Sequence, residues 1–310
     1  MIRHDFMTSL QNEGIHNQAD YQKNAFARNI GLFTEEEQGR LSRATVAIPG
    51  MGGVGGVHLM TMVRTGVARF HLADFDTFSS VNINRQYGAK VPTFGRSKLE
   101  TMIEEATAVN PFLQLKPFAE GVTVDNIDQF LEGVDIVVDG IDFFEFEIRR
   151  LIFTRARQLG IPVITAGPLG FSSALLAFLP DKGMGFDEYF DIHDGLSDED
   201  KYLQYALGLA PKGLHIRYMD RKKICLEGKA GPSSAIACQL CAGMAASEAV
   251  KLILGRRGVK AVPYYCQFDP YLNKYKKGFL WFGNRNPIQR LKKMIVKRFL
   301  LPKSEFIEPR

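Results

Sequence analysis

Apolar and polar positions alternate along this chain in two distinct periods, and the order of those periods predicts the architecture. "TVAIP" and "RFHLADFD" have the density of buried strands, and between them "VHLMTMVRTGV" has a helical spacing that closes near Gly66. "RSKLETMIEEATAVNP" predicts an amphipathic helix that stops before Pro111, followed by a short strand in "LQLKPF". "VDIVVDG" is a nearly unbroken apolar run, as a strand covered on both faces requires. "FEFEIRRLIFTRARQLG" then supplies a helix and "IPVITAGPLG" a strand, which continues the alternation. "SALLAFLP" leads into an antiparallel portion, "SSAIACQLCAGMAASEAVKLILG" is the last long helix of the body, and "VPYYCQF" is an aromatic strand. Together these elements predict an α/β fold with one principal mixed sheet flanked by helices.

The ends of the chain break this alternation. Residues 1–24 are polar and mixed, with His4 and His16 isolated, and predict a flexible or draped arm. The next stretch, "YQKNAFARNIGLFTEEEQGRLSRA", is a helical patch in which Thr34 and Glu37 have capping-box spacing. The body is expected over 25–270, including an acidic, crossover-like segment over 182–224, and 271–310 is expected as a basic tail. In that tail Ile288, Leu291, Met294, Ile295 and Phe299 recur at helical spacing among Arg290, Lys292, Lys293, Lys297 and Arg298. Such a helix suits an anionic membrane surface or a partner, but docking on its own domain through the apolar stripe is the favoured expectation.

Charge and cysteine content narrow the function classes. The 310 residues carry a formal net charge of +5, yet Tyr271–Arg310 holds 11 Lys or Arg against two Glu, leaving about −4 for the rest. A basic tail on a slightly acidic body, without a recognition motif, does not describe a dedicated nucleic-acid-binding protein. Cys225, Cys238, Cys241 and Cys266 come late in a chain whose start has no signal-like apolar stretch, so a cytoplasmic setting is expected. "CQLC" is a single pair inside a small-residue helix, so structural zinc is not expected. Arg221, Lys222, Lys223 and Lys229 around Cys225 are cations of the kind that lower a thiol pKa, and Cys225 is kept as a candidate nucleophile beside a structural role.

The candidate chemistry lies where strands end. Gly50, Gly52, Gly53 and Gly55 in "GMGGVGG" give a tight turn, a close backbone approach and exposed amides at a helix start, a pattern that suits a dinucleotide or ATP. Asp74 stands where a carboxylate meets ribose hydroxyls, and Asp76 follows on the same side, to assist or to cap the connection. The glycines alone decide nothing between NAD and ATP. Asn82, Asn84, Arg85 and Gln86 in the next connection, and Lys98 at a helix start, are donors for phosphate oxygens rather than for hydride transfer. Asp139 and Asp142 lie just beyond a strand, and a carboxylate near a triphosphate is most simply a Mg²⁺ ligand, with helix capping as the alternative use.

These ordered features resemble the ThiF/MoeB/HesA family, the prokaryotic relatives of ubiquitin-activating enzymes. The similarity runs from about Tyr21 to Phe171 and resumes around Glu248, and it rests on "ARNIGLF", "GMGGVGG", "LADFDTFSSVNINRQ", "GRSKLE", "NP" and "VVDGIDFFEFEIRR". The resemblance implies a Rossmann-like, ubiquitin-activating-enzyme-like adenylation domain. Its implied activity is ATP-dependent adenylation of a carboxylate, usually the C-terminal glycine of a ubiquitin-like sulfur carrier. It further implies that Gly52 and Gly53 approach the nucleotide, Asp74 holds the ribose, Asn82, Arg85 and Lys98 engage the phosphates, and Asp142 holds Mg²⁺. Arg28 would act across a homodimer interface. Adenylation of a small-molecule or tRNA-linked carboxylate is the alternative within the family. A nucleotide-binding scaffold without chemistry and an NAD-dependent dehydrogenase are the alternatives outside it.

Overall fold

The computed structural model describes residues 2–220, 223 and 231–300, and for 2–5, 299 and 300 only the backbone. Two helices come first, α1 (Ile2–Asn12) and α2 (Gln18–Ala25). The arm expected over 1–24 is therefore helical and partly anchored. Asn17 caps α2 by accepting from Asp20 N at 2.9 Å, and buried Tyr21 packs its ring on Phe26 and Phe112 while its hydroxyl donates to Val109 O. The capping box opens α3 (Glu35–Arg43): Glu37 N donates to Thr34 Oγ1 at 3.1 Å and Thr34 N to Glu37 Oε2 at 2.9 Å.

The alternating body follows as β1 (Thr45–Pro49), α4 (Gly55–Thr65), β2 (Arg69–Ala73), α5 (Lys98–Val109), β3 (Gln114–Phe118), α6 (Ile127–Leu131), β4 (Ile136–Asp139), α7 (Phe146–Gln158) and β5 (Val163–Leu169). The direction then reverses at β6 (Ser172–Phe178). Helices α8 (Phe186–Phe190), α9 (Asp198–Leu209) and α10 (Ala235–Leu254) precede the hairpin β7 (Tyr264–Asp269) and β8 (Lys274–Phe279), and α11 (Pro287–Ile295) follows. The eight strands form one mixed sheet in the order β3-β2-β1-β4-β5-β6-β7-β8, parallel from β3 to β5 and antiparallel beyond. β8 lies inside the stretch expected as basic tail; it pairs with β7 from Asp269↔Lys274 to Tyr264↔Phe279.

Two large hydrophobic clusters cover the two faces of this sheet. One joins β1, β2, β4 and β5 to α4, α5 and α10 through Ile48, Leu59, Met62, Phe70, Met102 and Ile164. The other gathers aromatic residues of α6 to α9, among them Phe130, Phe153, Phe186, Phe190 and Tyr205, on the opposite face. Helix α10 is, among the described residues, the one helix long and apolar enough to cross a membrane. It is packed as a core helix instead: Ala237, Cys238, Cys241, Ala242, Ala245 and Ala249 are buried, and their small size lets the helix approach the sheet closely. Ser234 caps it by accepting from Ala237 N at 3.2 Å while donating to Gly170 O at 2.7 Å.

The chain leaves β1 toward β2 and β3 on one side, and returns with β4 and β5 on the other. That reversal opens a crevice beyond the carboxyl ends of β1 and β4, where open α/β sheets place their ligands.

Candidate active site

Three glycines build the floor of that crevice. Gly50 leaves β1 at φ +90°, a conformation that disfavours any residue with a Cβ, and its N–H donates to Ala73 O at 2.7 Å. A Cβ at Gly55 would lie 1.8 Å from Gly50 O, one at Gly50 2.4 Å from Gly140 O, and one at Gly140 2.7 Å from Gly50 O. These contacts press the end of β1, the start of α4 and the end of β4 together. Gly52 and Gly53 differ: a Cβ there would meet Gln86 Nε2 at 3.6 Å and Cys238 Sγ at 3.4 Å, both ordinary contact. Protein packing does not demand glycine at those two positions, whereas close approach by a nucleotide does.

Around this turn the connection after β2 folds back as a wall. Arg85 packs beside Gly53 and donates through Nη1 to Val81 O and Asn84 Oδ1, both at 3.0 Å. Asn84 in turn donates to Ser233 O at 3.0 Å, which ties the wall to the approach of α10. Buried Asn82 accepts from Ser79 N at 3.0 Å and Ser79 Oγ at 3.2 Å, so it holds the connection. Gln86 is buried beside Gly52, and its Oε1 has no partner. A buried orphan acceptor next to an open glycine fits a site that a donor-bearing ligand completes.

The acids divide into bound and free. Half-buried Asp74 accepts from Met51 N at 2.6 Å through Oδ2 and from Asp76 N at 2.8 Å through Oδ1. Burial pushes its carboxyl above the ordinary range, against the pull of those backbone donors. Asp76 accepts from buried Lys98 Nζ at 2.8 Å, and Lys98 N also donates to Asp76 O at 2.9 Å. Asp139 is fully buried: Oδ2 accepts from Arg149 Nε at 3.1 Å and Thr165 Oγ1 at 2.8 Å, and Oδ1 accepts from Ile141 N at 3.1 Å. Asp142 is exposed, and its Oδ1 accepts from Phe144 N at 3.0 Å in a turn. Of the two acids at the end of β4 and just beyond it, Asp139 is a structural anchor and Asp142 the one exposed to solvent. A Mg²⁺ site of one or two carboxylates completed by substrate phosphates fits Asp142, although no described cluster of three or more metal-binding side chains exists.

Two contributors were not legible as site residues. Gly140 closes the glycine contact from the β4 side. Arg149 holds the loop that carries Asp142, donating to Ile141 O at 2.5 Å and Phe143 O at 3.3 Å and lying 4.7 Å from the centre of the Tyr205 ring. Its signal was a cation on the buried stripe Phe146, Ile152, Phe153 and Ala156, where a charge requires an interior partner.

Other expected residues stand apart from this group. Arg28 is exposed in the single helical turn Ala27–Asn29. Asn29 Nδ2 donates to Thr65 O at 3.2 Å, which seats this turn at the C-terminal end of α4, about 16 Å along that helix from the glycine turn. Cys225 lies outside the described residues, as do Arg221, Lys222 and Lys229. Cys238 and Cys241 are buried in the core; burial pushes the Cys238 thiol up to about 11, which keeps it unreactive. The acidic segment is tied to the body at two points: Arg150 takes Asp187 at 2.7 Å and Asp194 at 2.6 Å, and Phe186, Tyr189 and Phe190 sink into the core.

Comparison with known proteins places this arrangement. The ThiF family profile matches residues 26–284, most of the chain. The chain belongs to the ThiF family. It is similar to the probable adenylyltransferase/sulfurtransferase MoeZ of Mycobacterium tuberculosis, 26% identical over 238 residues that cover 76% of this chain and 54% of MoeZ. It is also similar to the tRNA threonylcarbamoyladenosine dehydratase of Escherichia coli, at 29% identity over 49% of this chain and 56% of that protein. This ThiF-family chain spans about half the length of the curated relatives it matches. Among solved structures, Escherichia coli MccB with the MccA peptide superposes with a TM-score of 0.64 at 16% identity, covering 86% of this chain and 74% of MccB. PaaA superposes at 0.63 and 20% identity, covering 83% and 82%. These likenesses establish a ThiF-type, ubiquitin-activating-enzyme-like adenylation fold.

Proposed function

We propose that this chain is an ATP- and Mg²⁺-dependent adenylyltransferase that activates the C-terminal glycine of a ubiquitin-like or sulfur-carrier protein and releases pyrophosphate. The observation that carries the reading is the open backbone at Gly52 and Gly53, walled by Arg85 and the orphan acceptor of Gln86 and flanked by Asp74, Lys98 and Asp142. Amides at the start of α4 receive phosphate oxygens, and Asp74 turns its remaining lone pairs to the ribose hydroxyls. Arg85 offers a planar pair of donors to the phosphates, Lys98 a point charge drawn from Asp76, and Asn82 holds the wall that aims them. Asp142 would hold Mg²⁺, whose bound charge offsets the negative charge on the departing pyrophosphate. The acceptor carboxylate oxygen bonds to the α-phosphorus as the bond from that phosphorus to the bridging oxygen breaks. The acceptor is ionised at neutral pH, so positioning and preorganised charge carry the reaction without a base. Arg28, at the far end of α4, would reach a site only from a second copy, so its proposed role requires a homodimer. The three described cysteines are free thiols, and a cytoplasmic setting suits them.

Similarity to tRNA threonylcarbamoyladenosine dehydratases of three bacteria favours a second reading, in which the acceptor is a carboxylate carried on tRNA. ATP–pyrophosphate exchange separates the two. We expect exchange to depend on a protein or peptide ending in Gly-Gly; dependence on modified tRNA instead would select the second reading. Normal ATP binding without exchange for any acceptor would overturn both in favour of a scaffold.

A further inference from the structure

The tail helix α11 is mounted the wrong way round for a helix held by hydrophobic packing. It docks on its own domain, as expected, but through its polar edge. Gln289 is buried and donates through Nε2 to Leu207 O at 2.9 Å and Asn284 Oδ1 at 3.3 Å. Lys292 Nζ donates to Pro211 O at 2.6 Å, and Lys293 and Lys297 bridge to Asp200 at 3.3 Å and 3.1 Å. Four members of the stripe expected to make that contact face water, Ile288 at 65% exposed, Leu291 at 51%, Met294 at 58% and Ile295 at 42%, while the side chain of the fifth, Phe299, lies outside the described residues. Their three- and four-residue spacing places them on one side of the helix. Just before the helix, Trp281 is 64% exposed and Phe282 is exposed as well.

Charge indicates what covers this stripe. From Tyr271 to Arg298 the sequence carries nine Lys or Arg and no Asp or Glu. The nearest acid bonded to α11, Asp200, is neutralised by Lys293 and Lys297. Arg290 is exposed beside the stripe, and Lys276 and Lys277 are exposed on β8 at the edge of the sheet. The exposed stripe is one short helix face with aromatic residues before it and cations at its flanks. In-plane insertion into a bilayer needs no more than such a stripe, aromatic anchors and basic flanks.

We propose that α11 is a docking surface for an anionic lipid bilayer. Ile288, Leu291, Met294 and Ile295 enter below the headgroups with Trp281 and Phe282, and the exposed cations Arg290, Lys276 and Lys277 lie at the lipid phosphates. This surface is separate from the nucleotide crevice and does not depend on the proposed activity.

Trp281 is the single tryptophan of the chain, so its emission reports the event directly. The 310-residue chain is mixed with vesicles of phosphatidylcholine alone and of equal parts phosphatidylcholine and phosphatidylglycerol, and both emission and sedimentation are followed. A blue shift and co-sedimentation are expected with the anionic vesicles only, weakening with added salt. The double variant Leu291→Glu, Met294→Glu changes only exposed side chains, and it is expected to lower partitioning by roughly tenfold or more with unchanged circular dichroism and ATP binding. Absence of the blue shift on anionic vesicles, or equal partitioning of the variant, overturns the proposal. Self-association of the native chain that the double variant abolishes, without vesicle binding, also overturns it and assigns the stripe to a second copy.

Discussion

At the carboxyl end of β2 the first acid, Asp74, is half-buried and keeps lone pairs for a ligand, while the second, Asp76, is engaged by Lys98. At the carboxyl end of β4 the order is reversed. Asp139, the first, is consumed inside the protein by Arg149 and Thr165, and Asp142, the second, faces solvent. The difference follows from depth. Asp139 is the last residue of a central strand, paired across to Thr165 of β5, with α7 covering its side chain. Asp74 lies one residue beyond β2, level with the glycine turn, and meets backbone donors instead of a buried cation. Two acidic pairs at strand ends thus leave opposite members available, and on the proposed reading those members bind the ligand.

Substitutions test this assignment. The largest effect is expected from Asp142→Ala, which should reduce Mg²⁺-dependent pyrophosphate exchange by at least about a hundredfold while altering stability by less than about 0.5 kcal/mol. Full turnover in that variant would remove Asp142 from the site. Asp139→Ala should do the reverse: stranding a buried guanidinium costs about 3–5 kcal/mol in urea unfolding. Adding Arg149→Met should recover much of that loss, and a single variant as stable as the parent would refute the anchor role.

A smaller effect is expected from Asp74→Ala, a tenfold to hundredfold weakening of ATP binding, which corresponds to about 1.5–3 kcal/mol for a hydrogen bond to a charged group. Its pH dependence has two opposite signs. Because the folded-state carboxyl is raised, its contribution to fold stability is full below the unfolded value and is lost as pH rises through the folded value. Ribose binding needs the ionised form, so ATP affinity should fall as pH drops, and should do so at a higher pH than an exposed aspartate would dictate. Calorimetric titration of ATP at several pH values measures this, and an Asp74→Ala variant with the parent's pH profile would refute it.

Much of the fold was legible because local period and turn chemistry agree with the tertiary result. The strand at "VDIVVDG", the capping box at Thr34 and the glycine spacing after β1 all report local geometry. What escaped depended on contacts distant in sequence. Periodicity placed Ile288, Leu291 and Met294 on one side of a helix, but it carries no information on which side meets the domain. Composition showed acids between Phe186 and Asp200, but not that Arg150, 37 residues before Asp187, would take Asp187 and Asp194. Gly140 resembled an ordinary end of a strand until its contact with Gly50 was visible, and the glycine spacing did not separate Gly50 and Gly55, which the backbone needs, from Gly52 and Gly53, which it does not.

The joint among Gly50, Gly55 and Gly140 has a mechanical consequence. It contains no side chains, so it has no rotamers through which strain at one strand end can relax before reaching the other. The spacing between the Asp74 side and the Asp142 side of the crevice is thereby set by main chain alone, like the jaws of a fixed gauge. On the proposed reading, adjustment to acceptors of different size comes from the surrounding walls, and a methyl group added at the joint would detune both halves at once.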